Sequence, residues 1–156
     1  MSANSLRVYV TVYEYKGVLW PQFTREFMRH SGILVEQPDG KFDCFHVTGT
    51  PGIGLRYSWE RGWGNPEDET ARLLAMNEVG TMPKARYSEM DGLMKRVVTK
   101  VSRDWNCQNW VRDALGVMVE KGLITEAEKE KAEEEQRKAI ALPFTSETPN
   151  KRALNG

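Results

Sequence analysis

The stretch "HSGILVEQPDGKFDCFHVT", His30 to Thr48, decides the fold. Pro38-Asp39-Gly40 is a strong turn signal between two runs rich in β-forming residues, so it predicts an antiparallel hairpin. The returning run, Lys41 to Thr48, alternates. Phe42, Cys44, His46 and Thr48 share one face, and Asp43, Phe45 and Val47 share the other. The hairpin carries both histidines of the chain, His30 and His46, and pairing its arms lets them approach one another.

Outward from the hairpin, "LRVYVTVYEY" (Leu6–Tyr15) reads as a strand, and so does the start of "LRYSWERGW" (Leu55–Trp63) after the loop "GTPGIG". "WPQFTREFMR" (Trp20–Arg29) suggests a short helix with Pro21 near its first turn. "TARLLAMNEVG" (Thr70–Gly80) suits strand or helix, with strand preferred. Past Pro83 the apolar spacing turns helical. Met90, Leu93, Met94, Val97, Val98 and Val101 predict one helix over Tyr87–Val101. A second runs over Asn106–Gly122, stopped at Gly122, with a stripe through Val111, Leu115 and Met118. Thr125–Glu128 is a capping box that opens a third helix, so polar that it reads as a solvated face. The fold class is α+β, an antiparallel sheet with helices packed on it. Residues 1–142 make one domain, and the polar segment 143–156 reads as a disordered tail.

Composition narrows the function classes. Lys+Arg and Asp+Glu both number 22, so the net charge of zero argues against a nucleic-acid partner. No apolar run is long enough for stable membrane insertion, and the N-terminus lacks the pattern of a signal peptide. Two cysteines, Cys44 and Cys107, are too few for a disulfide framework. Both are read as free thiols in a reducing, cytoplasmic setting. The spacing of the two Cys and two His is poor for zinc, so no metal or other cofactor is expected.

The candidate site centres on "DWNCQNWV", Asp104–Val111. Cys107 falls in the first turn of the predicted helix, capped by Asp104 or Asn106. Unpaired backbone N–H groups and the helix dipole favour an anion there, so a lowered thiol pKa is expected. A histidine facing it would accept the thiol proton and later protonate a leaving group. Cys44, which shares a strand face with His46, reads as an inert buried thiol. Trp59 and Trp63, in the aromatic loop Arg56–Pro66, suit substrate contact or core equally, and Trp105, just ahead of the helix, is a candidate substrate contact. Trp110 lies on the apolar stripe and reads as core.

"HSGILVE…GKFDCFHV" followed downstream by "NCQNWV" resembles the circularly permuted branch of the NlpC-type, papain-like cysteine hydrolases. That branch includes the lecithin:retinol acyltransferase-like enzymes and the PPPDE peptidases. The resemblance covers about Leu6 to Gly122. It implies Cys107 as nucleophile, His30 as general base and His46 as the group that orients it. Asn106 and Gln108 would support the site or its oxyanion. The implied chemistry is acyl transfer through a Cys107 thioester, on an amide, isopeptide, ester or thioester of a small-molecule or peptide substrate. Gln108-Asn109 stand where the acyltransferase branch commonly carries Glu-His. Two rivals remain at this level: a non-catalytic binding module on the same fold, and a redox or metal role for the Cys and His residues.

Overall fold

The computed structural model describes residues 3–16, 23–67 and 71–143. Five strands form one sheet: β1 (Ser5–Tyr15), β2 (His30–Glu36), β3 (Phe42–Thr50), β4 (Gly54–Trp63) and β5 (Ala71–Pro83). Their spatial order is β4-β3-β2-β1-β5, and every neighbouring pair is antiparallel. The short turns at Gly40 and Gly52, both in the left-handed region at φ 83° and 82°, make β2–β3–β4 a meander. β5 instead returns to the far edge beside β1 along an eleven-position ladder.

Helices α2 (Met90–Lys95), α3 (Cys107–Glu120) and α4 (Glu126–Ile140) cover one face. Alternation sends Val8, Val10, Ile33, Val35, Phe45 and Val47 to that face, where they meet Met90, Met94, Trp110, Val111, Leu115 and Met118 in the core. The α3 stripe is therefore buried as its spacing predicts. Trp110 is fully buried, its ring stacked on Tyr57 at 5.8 Å.

Three expectations need correction. The helix over Tyr87–Val101 is much shorter: a 3-10 segment, Lys84–Glu89, leads into α2, which stops at Lys95. The run Val97-Val98-Thr99 is β-branched and holds a helix poorly, and Val98 and Val101 end up exposed. The helix at Trp20–Arg29 reduces to α1 (Arg25–Met28), capped by Thr24 Oγ1. Its start, and the tail beyond residue 143, lie outside the described residues. Finally, α4 is not simply a solvated helix. Its capping box at Thr125–Glu128 is formed, but Ala132, Gln136 and Ala139 are buried against the neighbouring elements. Gly80 on β5 admits this docking, because a Cβ there would run into the Glu128 carboxylate.

Arg29, only 2% exposed, fastens the far end of α4. Its Nη1 donates to the carbonyls of Ala139 (3.2 Å), Ile140 (2.6 Å) and Leu142 (2.8 Å), and its Nη2 pairs with Glu14 at 2.9 Å. A cation at a helix C-terminus complements both the last carbonyls and the dipole. The residue preceding His30 thus ties β1, β2 and α4 together.

Candidate active site

β2 and β3 are hydrogen-bonded from Glu36↔Phe42 only as far as Ile33↔Phe45. Beyond that point β2 continues to His30 along β1, and β3 continues to Thr50 along β4. The sheet forks there. A cavity of about 500 Å³ has His30 from β2, Val47–Pro51 from β3 and its turn, and Cys107 from α3 on its walls. Phe23, Phe27, Met28 and Leu55 make much of the lining apolar.

The two histidines meet across the fork. His30 Nε2 lies 2.8 Å from His46 Nδ1, the rings near-perpendicular with centroids 5.0 Å apart. Gly32 makes the approach possible, since a Cβ at that position would sit 3.3 Å from His46 Cβ. His46 is buried, and His30 is half-buried beside the cavity.

His46 has a second partner that the sequence reading missed. Its Nε2 makes a short hydrogen bond to the Glu60 carboxylate. Glu60 comes from β4, in register with Cys44 and two residues from the Ser58–His46 pair. The signal was present in the tight turn "GTPGIG": counting back from Thr50↔Gly54 places Glu60 on the face of His46.

Cys107 is the first residue of α3, with Asn106 as N-cap. Asn106 Oδ1 accepts from the Gln108 N–H at 3.0 Å, and Asn109 Oδ1 accepts from the Asn106 N–H at 3.0 Å. The amide nitrogens turn the other way. Asn106 Nδ2 donates to Phe27 O (2.6 Å), and Gln108 Nε2 donates to Glu26 O (2.7 Å) and Arg29 O (2.9 Å). These two side chains therefore staple the α1 segment, and with it the start of β2, to the cysteine helix. Their N–H groups bind backbone carbonyls, so they support the site. Gln136 extends the staple, donating to Ser31 Oγ (3.0 Å) and Gln108 O (3.3 Å).

The expectation of a lowered Cys107 pKa is reversed. Burial pushes the thiol up from 9.0 to about 11, against the opposing pull of the Ser31, Cys107 and Gln108 backbone N–H groups. Sγ donates a long hydrogen bond, 3.8 Å, to Arg29 O. The resting thiol is protonated at neutral pH. Cys44 is also raised, by burial first and by the nearby Glu60 second, and both thiols are free.

The tryptophans divide. Trp105 is buried in the core and is not among the residues lining the cavity. Trp59 stacks on Phe45 at 5.7 Å on the helix-covered face, with the Arg61 guanidinium 4.5 Å above its ring. It packs against the core. Trp63 lies beyond a register shift and a positive-φ Gly62, which turn it to the face of His46. Its ring meets the imidazole edge-on at 6.1 Å. Among the described residues no group of three or more His, Cys, Asp or Glu side chains is arranged to hold a metal ion, and no helix is long and apolar enough to cross a membrane.

A protein-family model, the family of unknown function DUF6540, matches residues 15–125. That span runs from the end of β1 through α3 and contains His30, His46, Glu60 and Cys107. No curated protein and no solved structure matches the chain.

Proposed function

The chain belongs to the DUF6540 family, and we propose that it is a cysteine-dependent acyl-transfer enzyme on a permuted papain-like scaffold. One observation carries the reading. A hydrogen-bonded histidine pair ends, at His30, on the wall of the same cavity that Cys107 lines from a helix N-terminus.

Because the resting thiol holds its proton, proton transfer belongs to the attack step. His30 takes the Cys107 proton as sulfur bonds to the acyl carbon. The negative charge that develops on the carbonyl oxygen is met by the Cys107 backbone N–H at the start of α3, since the Gln108 and Asn109 N–H groups are held by the Asn106 cap. Collapse of the tetrahedral species breaks the bond to the leaving amine, alcohol or thiol, which departs with the proton from His30. The Cys107 thioester is then resolved by water or another nucleophile, with His30 as base again. His46 holds the His30 ring. The apolar walls suit an uncharged acyl portion of a small-molecule or peptide substrate, and the cytoplasm would keep both thiols reduced.

The protonated thiol also favours a second reading, a binding module whose cavity holds a ligand without turnover. The test is hydrolysis of p-nitrophenyl butyrate by the wild-type, Cys107→Ser and His30→Ala proteins. The enzyme reading predicts wild-type turnover that falls at least 100-fold in both variants, in line with the usual contribution of a general base. Turnover that survives in Cys107→Ser rejects it. A wild-type protein that binds the ester without hydrolysing it favours the module.

A further inference from the structure

We propose that Glu60 is a positioning residue for His30, acting through His46 by fixing the tautomers of both rings. The inference rests on the acyl-transfer reading for its consequence, but its physical basis is the hydrogen-bond chain alone. A carboxylate accepts and does not donate. The short contact from His46 Nε2 to Glu60 therefore places a proton on that nitrogen. In the neutral ring, His46 Nδ1 then carries the lone pair and must accept from its partner 2.8 Å away, His30 Nε2. His30 in turn holds its proton on Nε2, and its Nδ1 is the basic nitrogen. The direction of donation runs His30 to His46 to Glu60.

Without the carboxylate the chain has no polarity. His46 is then able to hold its proton on Nδ1 and donate to His30 Nε2. That moves the His30 proton to Nδ1 and removes the base. Two further contacts keep the His46 ring in the orientation this logic needs. Trp63 lies edge-on to it at 6.1 Å, and Gly32 leaves room for its Cβ. Glu60 itself is on β4, away from the cavity lining, so it acts on the base and not on the substrate.

The test reads tautomers directly by long-range proton–nitrogen NMR of both rings in the wild-type, Glu60→Ala and Glu60→Gln proteins, alongside kcat and KM for p-nitrophenyl butyrate. Both wild-type rings are expected as the Nε2–H form. Glu60→Ala should move His46 toward the Nδ1–H form and His30 with it, and kcat should fall about 100-fold at little-changed KM. Glu60→Gln still offers a carbonyl oxygen to His46, so the wild-type tautomers and at least a tenth of kcat should return. Unchanged tautomers in Glu60→Ala overturn the proposal, whatever happens to the rate. Tautomers that shift as expected in a protein with no wild-type turnover support the positioning role and reject only the acyl-transfer reading.

Discussion

Cys44 lies in the middle of β3, in register with Leu34 on one side and Glu60 on the other, while Cys107 opens α3 at the fork of the sheet. The two thiols share more than their sequence contexts suggest. Both are buried, both are free, and burial raises both. They differ in what offsets burial. Around Cys44 the Glu60 carboxylate raises it further. Around Cys107, three backbone N–H groups draw the value down to about 11. At Cys107 burial outweighs the helix N-terminus, and the thiol lies above its ordinary value. What separates the two thiols in the structure is the cavity, which Cys107 lines together with His30 and Cys44 does not.

The contrast breaks most readily at Arg29, whose carbonyl accepts from the Cys107 thiol. Arg29→Met would leave the buried Glu14 carboxylate with only the more distant Arg72 guanidinium, 3.9 Å away, and uncap the last carbonyls of α4. Loss of about 3–5 kcal/mol is expected in denaturant titrations, the range for breaking a buried ion pair. Cys107 should also alkylate faster relative to Cys44 than in wild type. A variant of near-native stability would mean that Glu14 finds another partner.

Next in size is native-state alkylation. With a pKa near 11 in place of 9.0, Cys107 holds about a hundredfold less thiolate at neutral pH than an ordinary thiol. Iodoacetamide at pH 8 should label it about 100-fold more slowly than an exposed cysteine, and Cys44 more slowly still. Faster labelling of Cys44 would invert the comparison.

Gly32→Ala probes the other side of the fork. Its Cβ would press on His46 Cβ at 3.3 Å, with Cys44 Sγ in ordinary contact at 3.5 Å. Overpacking of this kind costs about 1–3 kcal/mol. Turnover should drop through displacement of His46, with Cys107 alkylation unchanged.

The smallest effect is alkaline. The folded state keeps the Cys107 proton up to about 11, whereas the unfolded chain releases it near 9.0. Between these values the native state binds more protons, so stability falls as pH rises, by about 1.4 kcal/mol per pH unit for each such thiol. Below pH 9 this contribution is flat. Cys107→Ser should flatten the slope between pH 9 and 11 in thermal melts, and an unchanged slope would mean that Cys107 does not contribute.

The hairpin, the strands at Leu6–Tyr15 and from Leu55, and α3 were legible because turn chemistry and apolar spacing agree over each of them, whereas Thr70–Gly80 suited strand or helix. Leu6–Tyr15 became β1 and Lys41–Thr48 became β3 with shifts of one or two residues. Three features were not legible, each because it depends on distant parts of the chain. β5 pairs with β1 rather than with β4, and no local pattern encodes that choice. The burial of α4 rests on two alanines and a glutamine, whose partners Ser31, Gln108 and Arg112 lie elsewhere in the sequence. In the site, His30 and His46 could be placed together from the hairpin, but Glu60 required the β3–β4 register. The amides around Cys107 looked like oxyanion donors, and only the positions of the Glu26 and Phe27 carbonyls show what they hold.

The central claim is that an acyl group passes through the sulfur of Cys107 and not that of Cys44. It is tested most directly by mixing the protein with p-nitrophenyl acetate, quenching in acid within the first turnover, and mapping the acetyl group by peptide mass spectrometry. A hydroxylamine-labile acetyl thioester is expected on the peptide containing Cys107, none on that containing Cys44, and slower formation in His30→Ala. An acetyl group on Cys44, or ester hydrolysis with Cys107 never acetylated, would contradict it.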